Sequence, residues 1–480
     1  MRKSRRSFLK SALAGAAISS IFGKAQLLAE PTMPADGVRA WSTFRNAKHE
    51  EVTQPSWKPI AQYNSNAVIL DPRACRQEIL GFGAALTDSS CYVLSQLPEE
   101  ARRKTMHEVF SAEQMCLNVC QTCIGASDYS RSLYSLDDSD RPDPELTQFS
   151  VDHDKAYILP ILREARQLNP ELYLFATPWS PPGWMKSGGS MLGGVILKRF
   201  YHNYAEYFRR FIEEYGREGI RLDAATVQNE LDTDQDGTMP ACIWGQEYEI
   251  QFVRDHLGPI LHDAGITAKI WILNHNYNLW GRAIGELSDV GANRFIDGVA
   301  WHGYSGEPTA MTTVHNAFPE KAAYWTEGGP DITAPDYLTD WTRWATTFIG
   351  IMRNWARSIT AWNLALDEKG NPKIGPFSCG GLITIENETH TVKRSGQYWA
   401  MSHCSKHVRR GARVFATEGI AGNSDHGAAL VSHIGFRNPD GTFVVVLANQ
   451  GPGMRIQLVL NSDSLDVELP ADSIKTIEWL

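Results

Sequence analysis

The sequence predicts a closed (β/α)8 barrel carrying a small antiparallel β-sandwich, and three observations predict it. Strand-like and helix-like segments alternate over most of the 480 residues, the pattern of a parallel sheet with crossover helices. After about residue 407 the helical segments stop and short apolar strands follow one another. The chain is 43% hydrophobic, and its length fits a barrel of usual size plus one smaller domain.

Residues 1–30 read as an export signal rather than as part of the fold. A charged Ser4-Arg5-Arg6-Ser7-Phe8-Leu9-Lys10 precedes an apolar stretch at 12–18 and small residues near Ala25 and Ala29. The paired arginines match the twin-arginine type, which predicts a periplasmic or extracellular protein. No other segment is long and apolar enough to predict a transmembrane anchor. Residues 31–76 look extended, around Trp41, Trp57 and Val68-Ile69-Leu70, and are expected to join the sandwich. The barrel is placed at 77–406, with strands at 79–87, 117–124, 172–178, 223–229, 268–274, 296–302, 322–327 and 358–363. Between them, 198–215 repeats Phe200, Tyr204, Tyr207, Phe208 and Phe211 at helical spacing, and 247–264 and 337–356 read the same way. Residues 407–480 supply sandwich strands at 428–432, 443–447, 455–460 and 474–479, with Asn438-Pro439-Asp440-Gly441 as a hairpin turn.

A net charge of −9 without a long basic block argues against a nucleic-acid partner and for a neutral substrate. Fifteen tryptophans offer flat faces that suit sugar rings as well as core packing. Cys116, Cys120 and Cys123 have the spacing of an iron–sulfur loop, but their segment alternates like a strand, which turns Cys123 away from the other two. They read as buried free thiols. Neither H-E-x-x-H nor a phosphate-binding glycine loop is present, so zinc and nucleotide chemistry find no support.

In a parallel barrel the active site lies at the carboxyl ends of the strands. The fourth ends in Gln228-Asn229-Glu230 and the seventh in Thr326-Glu327-Gly328-Gly329; the first, third, sixth and eighth end near Asp88, Trp179, His302-Gly303-Tyr304 and Trp362-Asn363. Two glutamates across one mouth suit glycoside hydrolysis with retention, which needs carboxyl groups about 5–5.5 Å apart, one protonated and one ionised. Glu230 stands beside Val227 and Leu231, apolar surroundings that favour the protonated acid. Glu327 precedes two glycines, whose bare backbone lets a sugar approach.

Gly81-Phe82-Gly83-Ala84-Ala85-Leu86-Thr87-Asp88, Pro178-Trp179-Ser180-Pro181-Pro182-Gly183-Trp184-Met185-Lys186, Gln228-Asn229-Glu230 and Trp362-Asn363-Leu364-Ala365-Leu366 resemble glycoside hydrolase family 30, in its glucosylceramidase-like branch. The resemblance runs from about residue 79 to Trp479. It implies retention without metal or cofactor, with Glu230 as acid/base, Glu327 as nucleophile and Asn229 on the sugar 2-hydroxyl. It further implies that Asp88, Trp179 and Trp362 hold the terminal glucose, and that His302 and Tyr304 line the mouth. The first expectation is an exo-acting β-glucosidase of glucosylceramidase type, acting on a β-glucoside. The alternatives are an endo-β-1,6-glucanase of the same family, acting on a glucan, and a sugar-binding protein that has lost catalysis. Four positions depart from the family pattern: Leu231 for a proline, Gln121 for an arginine that supports the catalytic carboxylates, Gly303 for an aromatic residue and Asn274 for an aspartate. Asp232-Thr233-Asp234-Gln235-Asp236-Gly237 matches half of a calcium loop, but the glutamate due at Ile243 is missing, so a solvated acidic loop is expected.

Overall fold

The computed structural model describes residues 37–54, 56–419 and 431–480. The export segment at 1–30 and the first three residues of the strand expected at 428–432 lie outside these.

Eight parallel strands form the barrel: β1 Gly81–Ala84, β2 Val119–Cys123, β3 Tyr173–Thr177, β4 Ala224–Thr226, β5 Lys269–Asn276, β6 Ile296–His302, β7 Ala322–Glu327 and β8 Ala356–Ala361. The ladder runs from β1 through β8 and back down to β2. It closes where the Asn118 amide donates to Phe82 O at 2.9 Å and the Leu86 amide to Gln121 O at 2.8 Å. Every residue of β1 and β2 is buried, because helices cover the outer face and side chains fill the inner one. The floor of the barrel is one apolar layer of Val119, Phe175, Ala224, Trp271, Ala300 and Tyr324, in which Trp271 and Tyr324 stack 3.9 Å apart. Outside, the helix Tyr201–Arg217 buries Tyr204, Tyr207, Phe208, Phe211 and Tyr215, the stripe its spacing predicts.

The layer above the floor is polar. Two residues further along β3, β4 and β7 come Thr177, Thr226 and Thr326, and the side-chain period of two turns them inward as well. Thr226 bonds Thr177 at 3.0 Å, and Thr326 donates to Asn274 Oδ1 at 2.8 Å. Asn274 reaches this layer only through a bulge in β5. Leu273 and Asn274 have φ of 68° and 46°, and the pairing slips between Ala300↔Leu273 and Trp301↔His275. A left-handed leucine costs about 1 kcal/mol. Glu249 holds it there, accepting from the Leu273 amide at 3.3 Å while itself pairing with Arg282 at 2.8 Å. The slip turns Asn274 into the barrel and carries His275 to its mouth.

The sandwich is built from both ends of the chain. Arg39–Phe44 pairs antiparallel with Ser473–Trp479, while Ala67–Glu78 lies between Arg413–Gly419 and Met454–Leu460. The expected hairpin turn is present, with the Asn438 amide bonded to Thr442 O and the Gly441 amide to Asn438 O. Where sandwich meets barrel, Arg353 of the helix Trp341–Arg353 donates to Thr417 Oγ1 at 3.0 Å and to the His433 carbonyl at 3.2 Å, and the His433 ring bonds Thr417 Oγ1 at 2.7 Å.

This junction makes folding sensitive to acid. Burial, and the charge of Arg353 beside it, push the His433 imidazole down to about 3. Below about pH 6.5 the unfolded chain takes up a proton here that the folded chain refuses. The stability contributed by neutral His433 is therefore complete at neutral pH and falls by about 1.4 kcal/mol per pH unit below that point. His433→Asn keeps a neutral donor for Thr417 and removes the titration. Urea unfolding between pH 7 and 5 is expected to show a shallower pH slope for the variant, by about one proton. Equal slopes would show that His433 is not buried neutral.

Candidate active site

The carboxyl ends of the strands surround a cavity of about 630 Å³, with Asp128, Trp179, Asn229, Glu230, Glu327 and Trp362 among its lining residues. A larger hollow of about 1200 Å³ lies on the outside of the barrel, between the helices Glu99–Phe110 and Ile158–Leu168, among surface arginine, lysine and glutamate side chains.

Glu230 follows β4 in a left-handed conformation, φ 48°, with its amide bonded to Asn274 O at 3.2 Å. A strained residue at a strand end is common at functional sites. Its carboxylate meets three polar side chains. Gln235 donates to Oε2 at 2.8 Å, while Oε1 lies 3.3 Å from His302 Nδ1 and 3.6 Å from His275 Nδ1. The apolar neighbours expected to favour its acid form face elsewhere, since Val227 and Leu231 belong to the main core. Burial alone would raise the Glu230 pKa, but the His302 hydrogen bond and the charges of His302 and His275 outweigh it and hold the carboxyl below the usual range.

Glu327 ends β7 and accepts from the Tyr304 hydroxyl at 3.2 Å. Burial pushes its pKa far above the usual range, and the charges of Glu230 and Asp128 push it further. His302 lies between the two glutamates, with Nδ1 toward Glu230 and Nε2 3.7 Å from Glu327 Oε2. One imidazole thus contacts both carboxylates. Beneath them Gln121 is fully buried with neither polar side-chain atom bonded to protein. Gln121 and Asn274 are both neutral amides, so this interior carries neither the arginine nor the aspartate of the family pattern.

Trp179 and Trp362 stack 5.0 Å apart as one apolar wall of the cavity. Asn229 lines it too, and accepts from Asn274 Nδ2 at 3.3 Å.

Asp88 does not face the cavity. Thr87 caps the helix Asp88–Ser95, and Asp88, as its first residue, points outward. It is 1% exposed and fully engaged, accepting from the Arg131 amide at 2.7 Å and the Tyr157 hydroxyl at 2.6 Å and bonding His153 Nε2 at 2.9 Å. The acidic wall residue is Asp128, just past β2, whose carbonyl accepts from the Ile374 and Gly375 amides. Burial, and the nearby charge of Glu230, push its carboxyl up to about 7.

Gly328 has a packing role rather than the sugar-facing one expected, and Gly303 packs against the same side chain, Trp325. A Cβ on Gly328 would lie 2.3 Å from the Trp325 ring, and one on Gly303 2.9 Å from the same ring. Gly329 does line the cavity. In the acidic stretch at 232–237 the polar groups are engaged separately. Asp232 Oδ1 bonds His275 Nε2 at 2.5 Å, Asp234 accepts from the Asp236 amide at 3.2 Å, and Gln235 serves Glu230. Among the described residues all eight cysteines are free thiols, and no helix is long and apolar enough to cross a membrane.

Comparison with known proteins agrees with this architecture. The model of the glycosyl hydrolase family 30 TIM-barrel domain matches residues 79–408, and that of the family's β-sandwich domain matches residues 413–477. The chain is 32% identical to an endo-1,6-β-D-glucanase of Neurospora crassa, over 79% of this chain and 80% of that one. It is 29% identical to a putative glucosylceramidase of Caenorhabditis elegans, over 83% and 77% respectively. A solved endo-β1,6-glucanase structure superposes with a TM-score of 0.82 at 28% identity, covering 92% of this chain and 99% of that chain. With a matched barrel, a matched sandwich and glutamates at the carboxyl ends of the fourth and seventh strands, this chain belongs to glycoside hydrolase family 30.

Proposed function

We propose that the protein is an exported, retaining endo-β-1,6-glucanase in which Glu230 is the acid/base and Glu327 the nucleophile. The observation that carries the mechanism is the placement of the two glutamates in one cavity, both in contact with the His302 imidazole. In the first step Glu230 protonates the glycosidic oxygen as Glu327 attacks the anomeric carbon, so that the leaving sugar departs as an alcohol and an α-glycosyl ester remains. In the second, Glu230 takes a proton from water, which attacks the same carbon and frees Glu327. Trp179 and Trp362 would lie against the C–H face of the ring, with Asp128 and Asn229 bonding its hydroxyls.

In the free protein the two carboxyls titrate in the opposite order to these roles, with Glu327 holding its proton more tightly. Positive charge developing on the bound sugar favours an ionised Glu327. His302, touching both groups, gives the proton a path to Glu230. The linkage is supported by the glucanase relatives, which favour the endo-β-1,6 reading over the glucosylceramidase type first expected. Export rests on the Arg5-Arg6 segment.

Incubation with linear β-1,6-glucan is expected to release oligosaccharides from the start, with the β-anomer appearing first by NMR. An initial α-anomer would exclude retention. Glucose as the only early product would make the enzyme exo-acting, and cleavage of glucosylceramide in place of the glucan would restore the glucosylceramidase reading.

A further inference from the structure

His275 has no part in the mechanism above, yet it is placed with unusual definition. It is 6% exposed, its Nε2 is bonded to Asp232, and its Nδ1 has no hydrogen-bond partner and lies 3.6 Å from Glu230 Oε1. A carboxylate on Nε2 keeps the proton of a neutral imidazole on that nitrogen, which leaves Nδ1 as a bare electron pair. That nitrogen faces a carboxylate oxygen, and either a proton or a metal ion between the two is held by both.

We propose that Glu230 Oε1, His275 Nδ1 and His302 Nδ1 form a binding site for a divalent transition-metal ion of the zinc type, and that such an ion inhibits the enzyme by occupying its acid/base. Glu230, His275 and His302 each offer one ligand atom, and these lie within 4.8 Å of one another. The two distances from Oε1, 3.3 Å to His302 and 3.6 Å to His275, are close to the edge of a tetrahedral site, about 3.3 Å for bonds of 2.0–2.1 Å. A tilt of the His275 ring about its single tether closes the remaining gap. Each imidazole also has a carboxylate behind it, Asp232 at 2.5 Å for His275 and Glu327 at 3.7 Å for His302, the outer arrangement that orients histidine ligands on metals.

Charge and ligand type point the same way. Asp128, Glu230, Asp232, Glu327 and Asp331 line the cavity, and no lysine or arginine lines it among the described residues. Two imidazoles with one carboxylate suit zinc, copper or nickel, whereas magnesium and calcium prefer oxygen ligands throughout. The cavity leaves the fourth position to water. An ion on Oε1 displaces the proton that the leaving oxygen needs, so cleavage stops without any change to the fold. Only this inhibition rests on the role proposed for Glu230; the binding site does not.

Titration calorimetry of ZnCl2 into the full chain at neutral pH tests the site, and turnover of the glucan in the same zinc series tests its consequence. One strong site is expected, with no heat from MgCl2, and inhibition at the same zinc concentration that a chelator reverses. Asp232→Asn, on the surface loop, should weaken zinc by about 10-fold, and His275→Ala by at least about 100-fold. Absence of zinc binding at millimolar concentration would overturn the proposal, as would binding of equal strength in both variants. Binding that depends on His275 but leaves turnover intact would uphold the site and overturn the acid/base assignment of Glu230.

Discussion

Glu327→Gly is expected to lose turnover of every β-glucoside, by on the order of 10⁴-fold or more, and to regain it in azide with an α-glycosyl azide as product. Without the carboxylate no covalent ester forms, and Glu230 alone cannot displace a sugar. The truncation opens a space at the end of β7, below the sugar and beside Tyr304, where the wild-type carboxylate accepts the tyrosine hydroxyl. A small anion entering there attacks the anomeric carbon from the face Glu327 would have used, which inverts the configuration once. NMR of the azide product decides it. A β-azide would exchange the roles of the two glutamates, and undiminished turnover would remove Glu327 from the mechanism.

The barrel was legible because its strands are short and largely buried on both faces, and because the aromatic spacing of the helix Tyr201–Arg217 leaves a single reading. The two glutamates were legible because both follow apolar strand runs: Glu327 is the last residue of β7, and Glu230 lies four residues past β4, turned to the mouth by its left-handed backbone. Elsewhere the reading failed in a definite way. Thr87 caps a helix immediately after β1, and a Thr-Asp-Ser-Ser start is a helix signal that sends Asp88 outward. Asp128 reaches the mouth because its loop is held by the Ile374 and Gly375 amides, some 246 and 247 residues away, a contact with no local trace. His275 is brought in by the β5 bulge, which inverts the alternation beyond Leu273. Its determinant is the Glu249–Arg282 pair on two other elements.

The departures from the family pattern become coherent once placed in the structure. Gln121 and Asn274 lie in the polar interior beneath the carboxylates, and replacing both an arginine and an aspartate by amides removes one charge of each sign. The local charge balance is thereby kept, while a cation that would have held Glu327 ionised is lost. The Tyr304 hydroxyl favours the ionised form of Glu327 against burial and the charges of Glu230 and Asp128. Gly303 is required by the Trp325 ring and would not accept an aromatic side chain without moving it.

Glu230→Ala is expected to separate substrates by their leaving groups. Natural glucan linkages leave as poor alkoxides and need a proton, so their cleavage should fall by about 10²–10⁴-fold, the usual contribution of a general acid. Aryl glycosides with acidic phenols need little protonation. Their first step should survive, and the ester on Glu327 should then accumulate, because no base remains to activate water. Rapid mixing would show this as a burst of phenol followed by slow turnover, and mass spectrometry would find the sugar on Glu327. Azide should speed the second step and give the β-azide, since it meets the ester from the face that Glu230 occupied and inverts a second time. His302 and Gln235 would remain in place, having lost only a carboxylate partner. A uniform loss across good and poor leaving groups would show instead that Glu230 orders the site through those contacts, without transferring a proton.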